Sequence, residues 1–386
     1  MSPDRSKKPL YILLGVIVID LIGFGVAIPV LPYLAKDQDA SGVLLGLLLA
    51  SYAAMQFVFA PIWGRISDRI GRRPVILLTI AGTSACLLLL GLSDSIVWLF
   101  VARIFGGVFG ANISVATAYI GDMTEPEDRI RWMGMIGASF AVGFTLGPAI
   151  GGALSLYGYG VPMLFASGLA AVNFVFASII LPEPSDRAEE LEAVTRSDLL
   201  RGNPTLRRLA GINFVFTLAV SQLESLFAYF MIARFAYEPW NVAWIMFLMA
   251  FVMLIIQGGG IQPLAKRFGE HRLLRSGVML MAVCFLALPH PSSVGILLIP
   301  LVLSAVGRAI SQPSLLSLVS LEATPSNRGV VMGSFTSAAS AARTVGPLIA
   351  GALFDWNDAY PFWFAGVLMT IAIPLCLGIA SENTED

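Results

Sequence analysis

Gly64-Arg65-Ile66-Ser67-Asp68-Arg69-Ile70-Gly71-Arg72-Arg73 is a ten-residue stretch with five charges, set between two long apolar runs. A fainter copy, Pro263-Leu264-Ala265-Lys266-Arg267-Phe268-Gly269-Glu270-His271-Arg272, follows about two hundred residues later. A charged hinge between two membrane-length segments, present once in each half, points to a membrane protein built by duplication.

The composition agrees. Hydrophobic residues make up 57% of the chain and charged residues 13%, with a mean hydropathy of +0.80. Soluble domains carry about 25% charged residues, so this chain has too few to cover a core of its size in water. The apolar residues fall in runs of about 20, enough to cross roughly 30 Å of hydrocarbon as helix. Backbone groups in lipid must be satisfied within the segment, so these runs are expected to be helices.

Twelve runs are expected, at 10–34, 42–64, 74–92, 95–121, 131–157, 160–181, 208–232, 240–262, 273–289, 293–318, 330–354 and 358–380. The first follows Arg5, Lys7 and Lys8 like a signal peptide. It is too long for one, contains Asp20 and lacks a small-residue cleavage site, so it reads as a retained span. A polar linker, 182–207, separates a half at 1–181 from a half of similar length at 208–386. The expected fold is therefore all-α, with twelve transmembrane helices in two pseudo-symmetric six-helix bundles.

Spacing supports the duplication. Arg129 precedes Gly147-Pro148 by 18 positions, and Arg328 precedes Gly346-Pro347 by 18. Pro126 and Pro325 match at the same offset. Parallel repeats of this kind place a substrate site at their interface, near the bilayer midplane. Of the 24 Lys and Arg residues, 19 fall on one side if both termini are cytoplasmic. That follows the positive-inside rule.

Cys86, Cys284 and Cys376 lie inside apolar runs, and His271 and His290 are isolated. Neither set has metal-ligand or disulfide spacing. The cysteines read as small buried apolar residues, and no metal or organic cofactor is expected.

The motifs resemble those of the major facilitator superfamily, and more narrowly its twelve-span drug:proton antiporters of the tetracycline-efflux type. Gly64 to Arg73 matches the signature loop between helices two and three, with Ile66 and Ser67 as departures. Asp20 with Pro29-Val30-Leu31-Pro32 resembles the first-helix motif. Leu99, Arg103, Gly107 and Gly110 fit the fourth-helix motif, with Gly106 at its usual glutamine. Gly143, Gly147, Pro148, Gly151 and Gly152 fit the fifth-helix antiporter motif. Gln56 matches a second-helix position of tetracycline pumps. Cys86, Met253 and Met281 stand where those pumps carry an acid, a histidine and an acid, which weakens a metal–tetracycline complex as substrate. The resemblance implies a functional monomer in a bacterial inner membrane, with a small-molecule substrate and no nucleic-acid partner.

Charges inside the spans carry the chemistry. Asp20, Arg103, Glu224 and Arg308 lie in spans one, four, seven and ten, which the resemblance makes cavity-lining. An ionised group at the bilayer centre costs at least about 2.5–3.5 kcal/mol, so each needs a partner or water. The acids can pair permanently with arginines and fix helix packing, or they can bind and release the coupling proton. Burial favours the neutral form of a carboxylate and a neighbouring arginine favours the charged form, so a change of hydration or partner can load and unload a proton. Asp20 and Glu224 are the expected proton sites, with Arg103, Arg308 and Arg343 as charge partners. Arg343 corresponds to Phe144 in the repeat.

The loop has two readings as well. Asp68 can latch the inside of the transporter by docking at the start of span eleven, where a helix N-terminus favours negative charge. Arg69, Arg72 and Arg73 would then grip acids and headgroups. Alternatively, the cluster only sets topology. Lys266 stands in the second copy where Asp68 stands in the first. Gly143, Gly147 and Gly151 share one helix face and allow close helix approach, for simple packing or for gating. Gln56, Asn112, Phe227, Tyr229, Phe230 and Trp244 are candidates to line an adaptable cavity.

The expected function is proton-coupled export of a small apolar or cationic molecule by alternating access. A metabolite symporter or facilitator of the same fold is the alternative. A non-transporting receptor or scaffold would bring a large added domain, whereas the sequence stops at Ser381–Asp386. An enzyme is not expected, because no nucleophile–base pair or phosphate loop is present.

Overall fold

The computed structural model describes residues 8–124, 126–184, 204–322 and 328–380. Most of the expected linker at 182–207, Arg5 and Lys7, Pro325 and the final six residues lie outside them. The helices are α1 (Lys8–Ala27), α2 (Leu31–Asp37), α3 (Gly42–Ile70), α4 (Arg72–Gly91), α5 (Ile96–Phe109), α6 (Asn112–Met123), α7 (Pro126–Ser155) and α8 (Val161–Ile180). They continue as α9 (Pro204–Phe235), α10 (Pro239–Ile255), α11 (Ile261–Phe268), α12 (Glu270–Ala287), α13 (Val294–Leu321), α14 (Arg328–Trp356) and α15 (Tyr360–Ala380). Among the described residues, ten helical segments are long and apolar enough to cross a membrane.

All twelve apolar runs are helical, but three are interrupted. The first breaks between α1 and α2 at Ile28–Val30, where Pro29 has no amide to continue the ladder. The fourth breaks at Gly110-Ala111, between α5 and α6. The eighth passes from α10 to α11 through a π turn at Ile256–Gly260, whose last three residues are glycines. Hydropathy alone reads straight through such breaks, because they preserve the apolar run.

The chain gathers into two compact units. One comprises Met1–Ala40, Ser51–Glu190 and Glu238–Phe247; the other comprises Ser41–Ala50, Leu191–Tyr237 and Leu248–Asp386. In the first unit α1 lies against α7 and α8, and α4 against α5 and α8. Its core includes Leu13, Ile80, Val115, Tyr119 and Trp132. In the second, α9 lies against α14 and α15, and α12 against α13 and α15.

Small residues set these distances. A methyl group at Gly143, Gly147 or Gly151 on α7 would run into Leu21, Gly25 or Val26 of α1. The face expected from the i, i+4 spacing is therefore the one that brings α7 onto the helix carrying Asp20. In the second unit Gly346 of α14 meets Ser221 of α9, so a side chain there would overlap the serine hydroxyl. The Gln222 side-chain amide donates to the Gly346 carbonyl at 3.2 Å.

Both charged hinges turn on glycine. Gly71 has φ of 106° and Gly269 has φ of 78°, a region that L side chains rarely enter. Each begins the helix that follows it, α4 and α12. This equivalence aligns Asp68 with Lys266.

Candidate functional site

Asp20 lies on α1. The break at Gly110-Ala111 lets Asn112 start α6 beside it, and the Asn112 amide donates to Asp20 Oδ2 at 2.9 Å. Asp20 Oδ1 is buried with no hydrogen-bond partner. Gln56 Nε2 donates to the Gly110 carbonyl at 2.8 Å, satisfying a group that the break leaves free. The two amides expected to line the cavity are thus each committed to the architecture around Asp20.

Arg103 is placed differently from the acid–arginine pairing considered above. Its guanidinium lies 4.1 Å from the centre of the Tyr52 ring, a cation–π contact that partly replaces hydration. Its Nε has no hydrogen-bond partner. Tyr52 also packs on Phe24, with ring centres 5.7 Å apart, and Phe24 on Phe144 at 6.0 Å.

In the second unit the charges do pair. Arg308 Nη1 on α13 lies 2.6 Å from Glu224 Oε1 on α9. The Glu224 side chain is 41% exposed and that of Arg308 23%, so water reaches this pair. Arg343 lies on α14, the helix packed against α9, and is exposed.

The Gly64–Arg73 loop is a network within the first unit. Arg72 bonds Asp122 through Nε at 2.7 Å and Ser67 Oγ through Nη1 at 2.7 Å, and it pairs with Asp68. Glu183 accepts the backbone amides of Arg72 at 2.6 Å and Arg73 at 2.9 Å, capping α4. Arg73 Nη2 donates to the Ser178 carbonyl at 2.5 Å. Asp68 remains 56% exposed, and Arg69 is exposed as well.

Three acids in these networks are not singled out in the sequence reading: Asp122, Glu183 and Asp355. Each closes on a residue distant in the chain, Asp355 on the amides of Gly42 and Val43. The available signal is positional, since each acid stands at the end of an apolar run.

The expected aromatic contacts divide. Phe230 is fully buried, 4.8 Å from the ring of Phe362 and 4.9 Å from the Arg234 guanidinium. Phe227 and Tyr229 are buried too, whereas Trp244 is exposed and pairs with Trp240 and Phe247. Among the described residues no cluster of three or more His, Cys, Asp and Glu side chains could hold a metal ion.

The sequence signature described as Major Facilitator Superfamily matches residues 13–337 and 241–385. Multidrug resistance protein 2 of Bacillus subtilis (strain 168) is 32% identical over 396 residues, covering 100% of this chain and 98% of its own. The class C tetracycline resistance protein of Escherichia coli is 29% identical over 386 residues, covering 96% of each. Among solved structures, the human organic anion transporter MFSD10 (TETRAN) superposes with a TM-score of 0.72. It is 26% identical, over 97% of this chain and 100% of that one.

Proposed function

The chain belongs to the Major Facilitator Superfamily, and on that premise we propose that it exports a small, drug-like molecule in exchange for protons by alternating access. The multidrug and tetracycline resistance relatives support the export direction and the drug class. One observation carries the proton step. Asp20 is a carboxylate in an apolar span, with one oxygen on Asn112 and the other unpartnered. Such a group takes up or releases a proton as its hydration changes. Each proton entering with the membrane potential supplies about 2.3 kcal/mol per 100 mV. Glu224, already paired with Arg308, is the second site.

Asp68 is the switch in this reading. Exposed, and held by a neighbour on its own loop, it can exchange Arg72 for the N-terminal end of α14 when the inside closes. The repeats at 1–181 and 208–386 then rock about the substrate, both termini face the cytoplasm, and the transporter works as a monomer in a bacterial inner membrane. No enzymatic step is involved. Cys86, Met253 and Met281 favour a substrate other than a metal–tetracycline complex, and Met281 is buried against Gly307.

Proteoliposomes with an imposed pH gradient test the proposal, with tetracycline, ethidium and a carboxylated rhodamine as probes. The wild type should accumulate at least one probe uphill, and Asp20→Asn should only equilibrate it. Uphill accumulation by the Asp20→Asn, Glu224→Gln double variant would overturn the proton assignment.

A further inference from the structure

α14 carries an arginine that the proton step does not use. Arg343 lies fifteen residues from the first residue of α14 and thirteen from the last. At 1.5 Å per residue it is about 20 Å from either end, beyond the reach of snorkelling to an interface. It is nevertheless exposed. A charged side chain at this depth faces water or protein, not hydrocarbon.

Its own helix gives it a polar surface. Thr336, Ser340 and Thr344 succeed one another at four-residue intervals, each returning its hydroxyl to the carbonyl four residues back. Arg343 follows Ser340 by three positions and Thr336 by seven, so it shares their side of the helix. The helix packed against α14 is α9, and its one acid, Glu224, is bonded to Arg308.

The charges therefore do not balance. Other acids of this unit are engaged elsewhere: Glu270 on Ser317, Asp355 on Gly42, and Asp358 on Arg234. Among the described residues no carboxylate closes on Arg343 within ion-pair distance. Glu224 answers one positive charge where two are present, leaving the Arg343 guanidinium exposed on the side of the helix that carries Thr336 and Ser340. A guanidinium presents paired donors that match a carboxylate.

We propose that Arg343 is the substrate's anion-binding point, and that the exported molecule carries a carboxylate on its apolar body. The proposal names the substrate class of the transporter proposed above and rests on that reading. It narrows the small, drug-like cargo to one that carries an acid.

The test pairs a rhodamine dye bearing a free carboxylate with the methyl ester of the same dye, titrated against the purified full-length protein by fluorescence anisotropy. The wild type should bind the acid about tenfold more tightly than the ester. Arg343→Gln should bring the two affinities within about twofold, and Arg343→Lys should fall between, since an ammonium cannot make the paired contact. Equal affinities in the wild type, an unchanged preference in Arg343→Gln, or no binding of either dye would overturn the proposal. Uphill transport of the same dyes in proteoliposomes is read separately. Preferential binding of the acid without transport removes the antiport reading and keeps the anion site; transport without preference does the reverse.

Discussion

Asp355 accepts the amide of Gly42 at 2.6 Å and that of Val43 at 3.0 Å, so a carboxylate near the end of α14 caps the start of α3. Helix N-termini leave amides unpaired and carry partial positive charge, which makes them natural seats for an acid. The contact is tight: a methyl group at Gly42, Gly46 or Gly351 would strike the facing helix. Replacing Asp355 by Ala should cost about 0.5–2 kcal/mol. Thermal unfolding in detergent would read this as a lower midpoint, with Asp355→Asn recovering part of it.

Arg72 is the keystone of the α3–α4 turn, because it answers Asp122, Asp68 and Ser67 together. Asp122 has 6% of its side chain exposed. Arg72→Ala leaves that acid buried and unanswered, at a cost of about 3–5 kcal/mol. The double variant Arg72→Ala, Asp122→Asn should recover much of the loss. Protease resistance of the two proteins should differ accordingly.

For Glu224 and Arg308, both partly open to water, a smaller coupling is expected. A double-mutant cycle with Glu224→Gln and Arg308→Gln should give about 0.5–3 kcal/mol. A cycle that closes to zero would mean that the pair contributes nothing to folding.

The α1–α7 contact should tolerate no bulk. Gly147→Val places three carbons where the Gly25 backbone lies, and such overpacking costs about 1–3 kcal/mol or more. Gly211 has open space around it, so Gly211→Ala is the control. Size-exclusion profiles should show loss of monodisperse protein for the first variant only.

Much of this was legible from spacing. The apolar runs locate the long helices because hydrocarbon thickness fixes their length. The i, i+4 glycines predict a close helix face, and Asp20 and Glu224 stand out as acids in apolar runs. The partners were not legible. Glu183 caps a helix 111 positions away and Asp355 one 313 positions away, and nothing local distinguishes a capping acid from a solvated one. Arg103 on Tyr52 was missed for a related reason: a charge in a span suggests an opposite charge, whereas an aromatic face also serves.

The paired glycines at 71 and 269 also bear on the history of the chain. Both copies kept the left-handed turn, a requirement of backbone geometry alone. Among the described residues, Asp68, Asp122 and Glu183 are assembled around the first; in the second, Lys266 occupies the position of Asp68, and the preceding helix passes through a π turn. The two hinges thus share a backbone turn and differ in what fastens it. A transplant of residues 64–73 onto positions 263–272 should therefore keep its turn, because Gly71 and Gly269 already hold the same left-handed conformation.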